Sequence, residues 1–194
     1  MSNTKKQTEL VALGALFTAL VIILQLIGSA IHLGPFSISL VLVPIVLGSA
    51  LCGYKIGAFL GLVFGFAVLI SGDAGAFLAV DVVGTIVTVL LKGVGCGLAA
   101  GLVYKALCKA NTYLAVVAAA VVCPIVNTGI FLLGCLLFFM EPVTAWAAAL
   151  GFADVGKYMI FGLVGGNFLV EMAVNIVLAP VIIRIISIIR KSKA

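Results

Sequence analysis

Between Glu9 and Lys55 the sequence places no aspartate, glutamate, lysine or arginine, and the stretch is apolar almost throughout. It is long enough for two helices of about 20 apolar residues, the length a lipid bilayer demands. Hydrocarbon tolerates only backbone whose N–H and C=O groups are satisfied internally, so the run reads as two membrane-spanning helices. The rest of the chain repeats the pattern. Only 9% of residues are charged and 65% are hydrophobic, against about 25% charged in a soluble domain. Too few charges exist to wet a globular surface, which excludes a cytosolic or secreted globular enzyme.

Charges and breakers divide the chain into one membrane domain, 1–194, with spans at about 10–31, 37–53, 56–71, 77–104, 113–140 and 158–189. His32, Gly34 and Pro35 mark the first turn, and Ser71-Gly72-Asp73 closes the third span. The expected fold is an all-α integral membrane protein of six transmembrane helices. Lys5, Lys6, Lys55, Lys105, Lys109, Arg184, Arg190, Lys191 and Lys193 fall on one side of this series. His32, Asp73, Glu141 and Asp154 fall on the other, with Lys157 the lone exception. The positive-inside rule then puts both termini in the cytoplasm. The net charge of +5 is spread over loop ends and offers no basic face to nucleic acid. No cleavable signal peptide is expected, because the apolar run after Lys5-Lys6 is too long for one. Cys52, Cys96, Cys108, Cys123 and Cys135 form no C-x-x-C pair and read as small hydrophobes.

Against this background, polar residues inside spans are conspicuous. A charge at the centre of a span costs on the order of 2.5–3.5 kcal/mol on the insertion scale. Lys92 lies in the middle of the fourth span and Glu171 near the middle of the sixth, while Asn127 and Thr128 occupy the fifth. Asp81, Thr85, Thr88 and Lys92 share one helical stripe, as do Asn167, Glu171 and Asn175. Two polar stripes with a polar patch between them predict a binding pocket open to the outside. The bland alternative is that Lys92 and Glu171 neutralise each other while the asparagines act as interhelical glue. A Lys–Glu pair alone is a weak source of stability, which favours the pocket. Gln25 fits either a pocket or helix glue; Trp146 suits an interfacial anchor better than a ligand platform.

Catalysis finds no support. No G-x-S-x-G, H-E-x-x-H or Walker-type loop occurs, so no hydrolytic or ATPase site is expected in this chain. With His32 the only histidine, no histidine-based metal site is expected. Small residues also form faces. Ala15-Leu-Phe-Thr-Ala19 has Ala12 one turn earlier, and Gly57, Gly61 and Gly65 make a doubled G-x-x-x-G. Such faces admit another helix to backbone contact, whether inside the bundle or from a partner. Gly93 and Gly95, mid-span and without a strand before them, read as packing glycines.

Over nearly its whole length the chain resembles the substrate-binding (S) component of an energy-coupling factor (ECF) vitamin transporter. The residues that carry the resemblance are Ala15-Leu-Phe-Thr-Ala19, the stretch from Gly34-Pro-Phe-Ser through Val43-Pro-Ile-Val-Leu-Gly48, then Gly53-Tyr-Lys-Ile-Gly57 and the glycine-rich third span. The resemblance implies a subunit of the prokaryotic plasma membrane that captures a small vitamin or precursor from outside. Such a subunit docks through spans one to three on a membrane scaffold carrying two cytoplasmic ATPases, then topples to deliver its cargo. Ala15 and Ala19, with Ala12 beside them, would belong to the docking face, and ATP would be used by the partners rather than bound here. Lys92 among amides and Glu171 suits a small acid with hydroxyl or amide groups, pantothenate-like first, with biotin-like and nicotinate-like acids behind. The rival function is a self-sufficient ion-coupled secondary transporter using Asp81 or Glu171, although its expected internal repeat is not visible.

Overall fold

A computed structural model describes residues 3–30, 32–33, 36–37 and 40–191. The chain is helical almost throughout. In chain order the helices are α1 (Asn3–Gly28), α2 (Leu42–Cys52), α3 (Tyr54–Ser71), α4 (Gly75–Leu78), α5 (Val82–Leu107), α6 (Thr112–Phe138), α7 (Met140–Ala149), α8 (Val155–Lys157) and α9 (Gly166–Lys191). A π-helical segment, Tyr158–Gly165, joins α8 to α9. Two-residue strands β1 (His32–Leu33) and β2 (Phe36–Ser37) pair antiparallel between α1 and α2. Gly34 and Pro35, expected to form that turn, lie outside the described residues.

Five segments are long and apolar enough to cross a membrane: 7–28, Tyr54–Ser71, Val82–Leu107, Thr112–Phe138 and Val155–Ile189. The sixth apolar helix, α2, has only 11 residues, about 16 Å at 1.5 Å per residue. Most of α2 is buried by the helices around it. Its all-round apolar character therefore reflects protein neighbours, which sequence alone cannot tell from lipid.

Helix ends follow local chemistry. Asp81, in extended conformation, caps α5 by accepting from the Gly84 amide at 3.0 Å. Asn111 caps α6 through the amides of Tyr113 and Leu114. At φ +89, Gly72 ends α3 in the left-handed region that glycine adopts without strain. Pro142 explains why α6 stops at Phe138: its ring would collide with the carbonyl four residues back, and it has no N–H to donate there. The chain restarts as α7, with the proline in a tolerated first-turn position.

The doubled G-x-x-x-G is used inside the bundle. A Cβ at Gly57 would meet the Gly97 carbonyl, and one at Gly61 would meet the Gly93 carbonyl. Here α3 and α5 run antiparallel at backbone contact. Gly84 against Phe138, Gly134 against Thr88 and Gly95 against Ile130 set α5 antiparallel to α6. Apolar side chains then gather in two clusters. The larger, around Phe17, Ile45, Leu60, Cys123 and Ile182, extends from the end where α2 meets α3 along α3 as far as Val68 and Ala74. A smaller one around Phe77, Phe139, Tyr158 and Leu163 fills the opposite end. Polar residues collect between the two.

Candidate functional site

A cavity of about 290 Å³ opens between the helices, at the lower end of the ~300–1,000 Å³ typical of small-molecule sites. From α5 it receives Thr85, Thr88 and Lys92; from α6, Asn127, Thr128 and Phe131; from α9, Asn167 and Glu171. Antiparallel packing of α5 on α6 sets Lys92 near the level of Asn127, Thr128 and Phe131, with Thr88 and Thr85 one and two turns further toward the Phe138 end of α6. The π-helical segment adds Leu163 and Val164, α3 adds Phe64, and α1 adds Gln25. A π-helical stretch inside a longer helix is rare and often marks a functional site.

Lys92 stands among aromatic rings. Its Nζ lies 5.4 Å from the Phe131 ring centroid and 5.6 Å from that of Phe64. Both distances fall within the ≈ 6 Å reach of a cation–π interaction. Among the described residues Lys92 makes no ion pair with a carboxylate, Glu171 included. On α9, Glu171 Oε1 accepts from Asn167 Nδ2 at 3.1 Å, and Asn175 Nδ2 donates to the Glu171 backbone carbonyl at 2.8 Å.

Several polar atoms lining the cavity are left without partners. Glu171 is 2% exposed, Thr88 3% and Asn127 5%. Glu171 Oε2, Thr88 Oγ1 and Asn127 Oδ1 have no hydrogen-bond partner within the protein. An unsatisfied buried acceptor costs about 1–3 kcal/mol. Three around one cavity suit a surface shaped to receive a polar molecule.

The mouth and roof use residues the sequence left undecided or misassigned. Gln25 Nε2 donates to Asp73 Oδ2 at 2.5 Å and to Ser71 Oγ at 3.3 Å, tying α1 to the turn after α3. Phe77 on α4 forms the roof, edge-on to Phe131, Phe139 and Trp146 at 5.0–5.4 Å. Trp146 belongs to α7, where the sequence suggested only a loop, and it buttresses Phe77 from outside the cavity lining. Phe64 and Phe131 complete the lining, aromatic residues that polarity within a span does not single out. Phe131 carried a signal, since it lies one turn from Asn127 on the same helical face.

Two residues of the predicted polar stripes do not line the cavity. Asp81 is occupied as the cap of α5, and its backbone carbonyl also accepts from Thr85 Oγ1 at 2.6 Å. Asn175 lies one turn beyond Glu171, buried, with its Oδ1 unpartnered. Asp81→Ala is therefore expected to lower stability by about 0.5–2 kcal/mol through loss of the cap, whereas Asp81→Asn keeps an acceptor and loses little. Thermal unfolding in detergent would separate the two variants. Equal losses would show that the charge, not the cap, is what the fold uses.

Toward the N-terminal part of α1, a separate groove of about 550 Å³ runs along α1 and the start of α3. Gly14, Ala15, Thr18 and Ala19 line one wall, and Ile56 and Phe59 the other. Ala15 and Ala19 are exposed; Ala12 is exposed too, beside the groove rather than in it.

A family model described as "ECF transporter, substrate-specific component" matches residues 10–183. No curated protein and no solved structure matches the chain.

Proposed function

The chain belongs to the substrate-specific components of ECF transporters, and from that premise we propose that it captures a small water-soluble vitamin or precursor in the polar cavity. Members of this family are transport subunits of the plasma membrane, not ATPases, and act with scaffold and ATPase partners. Both termini face the cytoplasm and the Phe77 roof faces outward, in keeping with the basic residues near the termini and in the α2–α3 and α5–α6 connections. The cargo enters from outside, and a scaffold carrying two ATPases draws it inward. A pantothenate-like acid is the first candidate.

The observation that carries this reading is a half-buried lysine and a buried glutamate lining one cavity within the spans without pairing to each other. A charge inside a span is a functional-site hypothesis by default, because a purely structural role recovers so little of its cost. Purified protein in detergent is expected to bind a vitamin or precursor without ATP, detected by mass spectrometry of released ligand and by calorimetry. Absence of ligand and of binding across a vitamin panel would sink the idea.

A pair of substitutions separates ligand recognition from mutual neutralisation. Lys92→Ala is expected to cost about 1.5–3 kcal/mol of binding, the worth of one charge-assisted hydrogen bond. Glu171→Ala is expected to have a different, unmatched effect. If the two residues served only each other, each single change would mainly destabilise the fold and the double change would restore stability with affinity intact. A double-mutant cycle on both stability and affinity reads out which holds.

A further inference from the structure

Resting on the capture reading above, we infer that the molecule held in the cavity is a small carboxylic acid that also bears an N–H or O–H donor, and that it bridges Lys92 to Glu171. The acid end meets the ammonium; the donor end meets Glu171 Oε2, with Asn127 Oδ1 on the facing helix α6.

The two sides of the cavity ask for opposite chemistry. Lys92 can only donate. Its near neighbours are the ring faces of Phe64 and Phe131, which attract the charge but provide no oxygen. An anion with acceptor oxygens satisfies both charge and hydrogen bonds, and the flanking rings exclude water and strengthen that contact. Asn127 Oδ1, by contrast, can only accept, as does Glu171 Oε2 when its carboxylate is ionised, and both are buried without partners. A second carboxylate there would meet the charge of Glu171; an amide N–H or a hydroxyl meets an acceptor it can satisfy. Asp73 also lines the cavity, held by Gln25. Its charge discourages an acid group at that position and favours the same polarity.

This chemistry divides the candidate acids. Pantothenate and biotin carry an acid together with N–H donors. Nicotinate has the acid but no donor at neutral pH, and panthenol has the donors but no acid. The experiment has two arms on the full-length protein in detergent. In the first, solvent extraction and mass spectrometry identify the compound that co-purifies; the expected compound bears both an acid and a donor. In the second, calorimetry measures pantothenate, biotin, panthenol and nicotinate, together with the extracted compound and its carboxamide. The tightest acid-plus-donor compound is expected to bind at least tenfold better than its counterpart lacking the acid. In Lys92→Met that preference is expected to fall below threefold. Should Lys92→Met not fold, the ratios on the unaltered protein decide.

An extracted compound without an acid or without a donor overturns this inference and leaves the capture reading standing. So does equal binding of acid and neutral counterpart, or a preference that survives Lys92→Met. No extracted compound and no binding by any probe overturns the capture reading, and this inference with it.

Discussion

Gly61→Val is expected to yield little or no folded protein, the largest stability effect that a single added side chain should have in this molecule. A Cβ at Gly61 would fall on the carbonyl oxygen and carbon of Gly93, and one at Gly93 would fall on the carbonyl of Gly61. Both obstacles are backbone, so no rotamer change relieves them. The helices must separate, and α3 against α5 is among the most extensive contacts in the fold. Overpacking against mobile side chains costs about 1–3 kcal/mol; against backbone, the loss should exceed about 3 kcal/mol. Phe64 lies on the same helix within one turn, so even a partial opening would move the ring that faces Lys92. Gly129→Ala is the matched control, since nothing lies within 4 Å of a Cβ there. Size-exclusion profiles and thermal unfolding in detergent would compare the two. A well-folded Gly61→Val protein with an unchanged melting temperature would mean that α3 and α5 can part without loss.

The glycine contacts also show what was legible in the sequence and what was not. The doubled G-x-x-x-G announced a close helix approach, but not whether the partner was internal. Its complement, Gly93, Gly97 and Gly101, has the same four-residue spacing on α5, and matching the two series would have pointed inward. Charge-free runs identified the long helices, because no other structure tolerates so few polar groups in lipid. They could not bound α2, where apolar residues lead into the helix without a capping side chain. Nor could they announce the π-helical segment, whose hydrogen-bond register leaves no compositional trace.

The candidate site divides in the same manner. Lys92, Thr88, Asn127 and Glu171 were visible because a polar residue in a span demands a reason. Asp81 continued the α5 stripe, yet it stands at the helix start, where an aspartate is just as well explained as a cap. Periodicity cannot distinguish those two roles at the end of a helix. The link from Gln25 to Asp73 joins segments far apart in the chain, so neither residue's own surroundings in sequence revealed it. Ring contacts around Phe77 depend on side-chain direction in three dimensions, which spacing alone does not encode.

Ala15→Trp and Ala19→Trp are expected to abolish ATP-dependent uptake while leaving ligand affinity within about threefold, under 1 kcal/mol. Both alanines are exposed and line the groove on α1, whose far wall is Ile56 and Phe59 of α3. With no driving force from water, helices in lipid associate through close packing, and a groove floored by small residues lets a partner backbone approach. An indole placed there fills the space a partner helix would need. The same helix reaches the cavity at Gln25, ten residues from Ala15 and six from Ala19, therefore about 15 Å and about 9 Å away along the axis. That separation is why a bulky residue in the groove should spare binding. Calorimetry and labelled-substrate uptake on one variant, in cells supplying the scaffold and ATPases, give both quantities. If binding is lost along with uptake, the groove serves the fold of this subunit rather than a partner. If uptake persists at the level of the unaltered protein, the scaffold engages another surface, and the exposed alanine face has some other occupant.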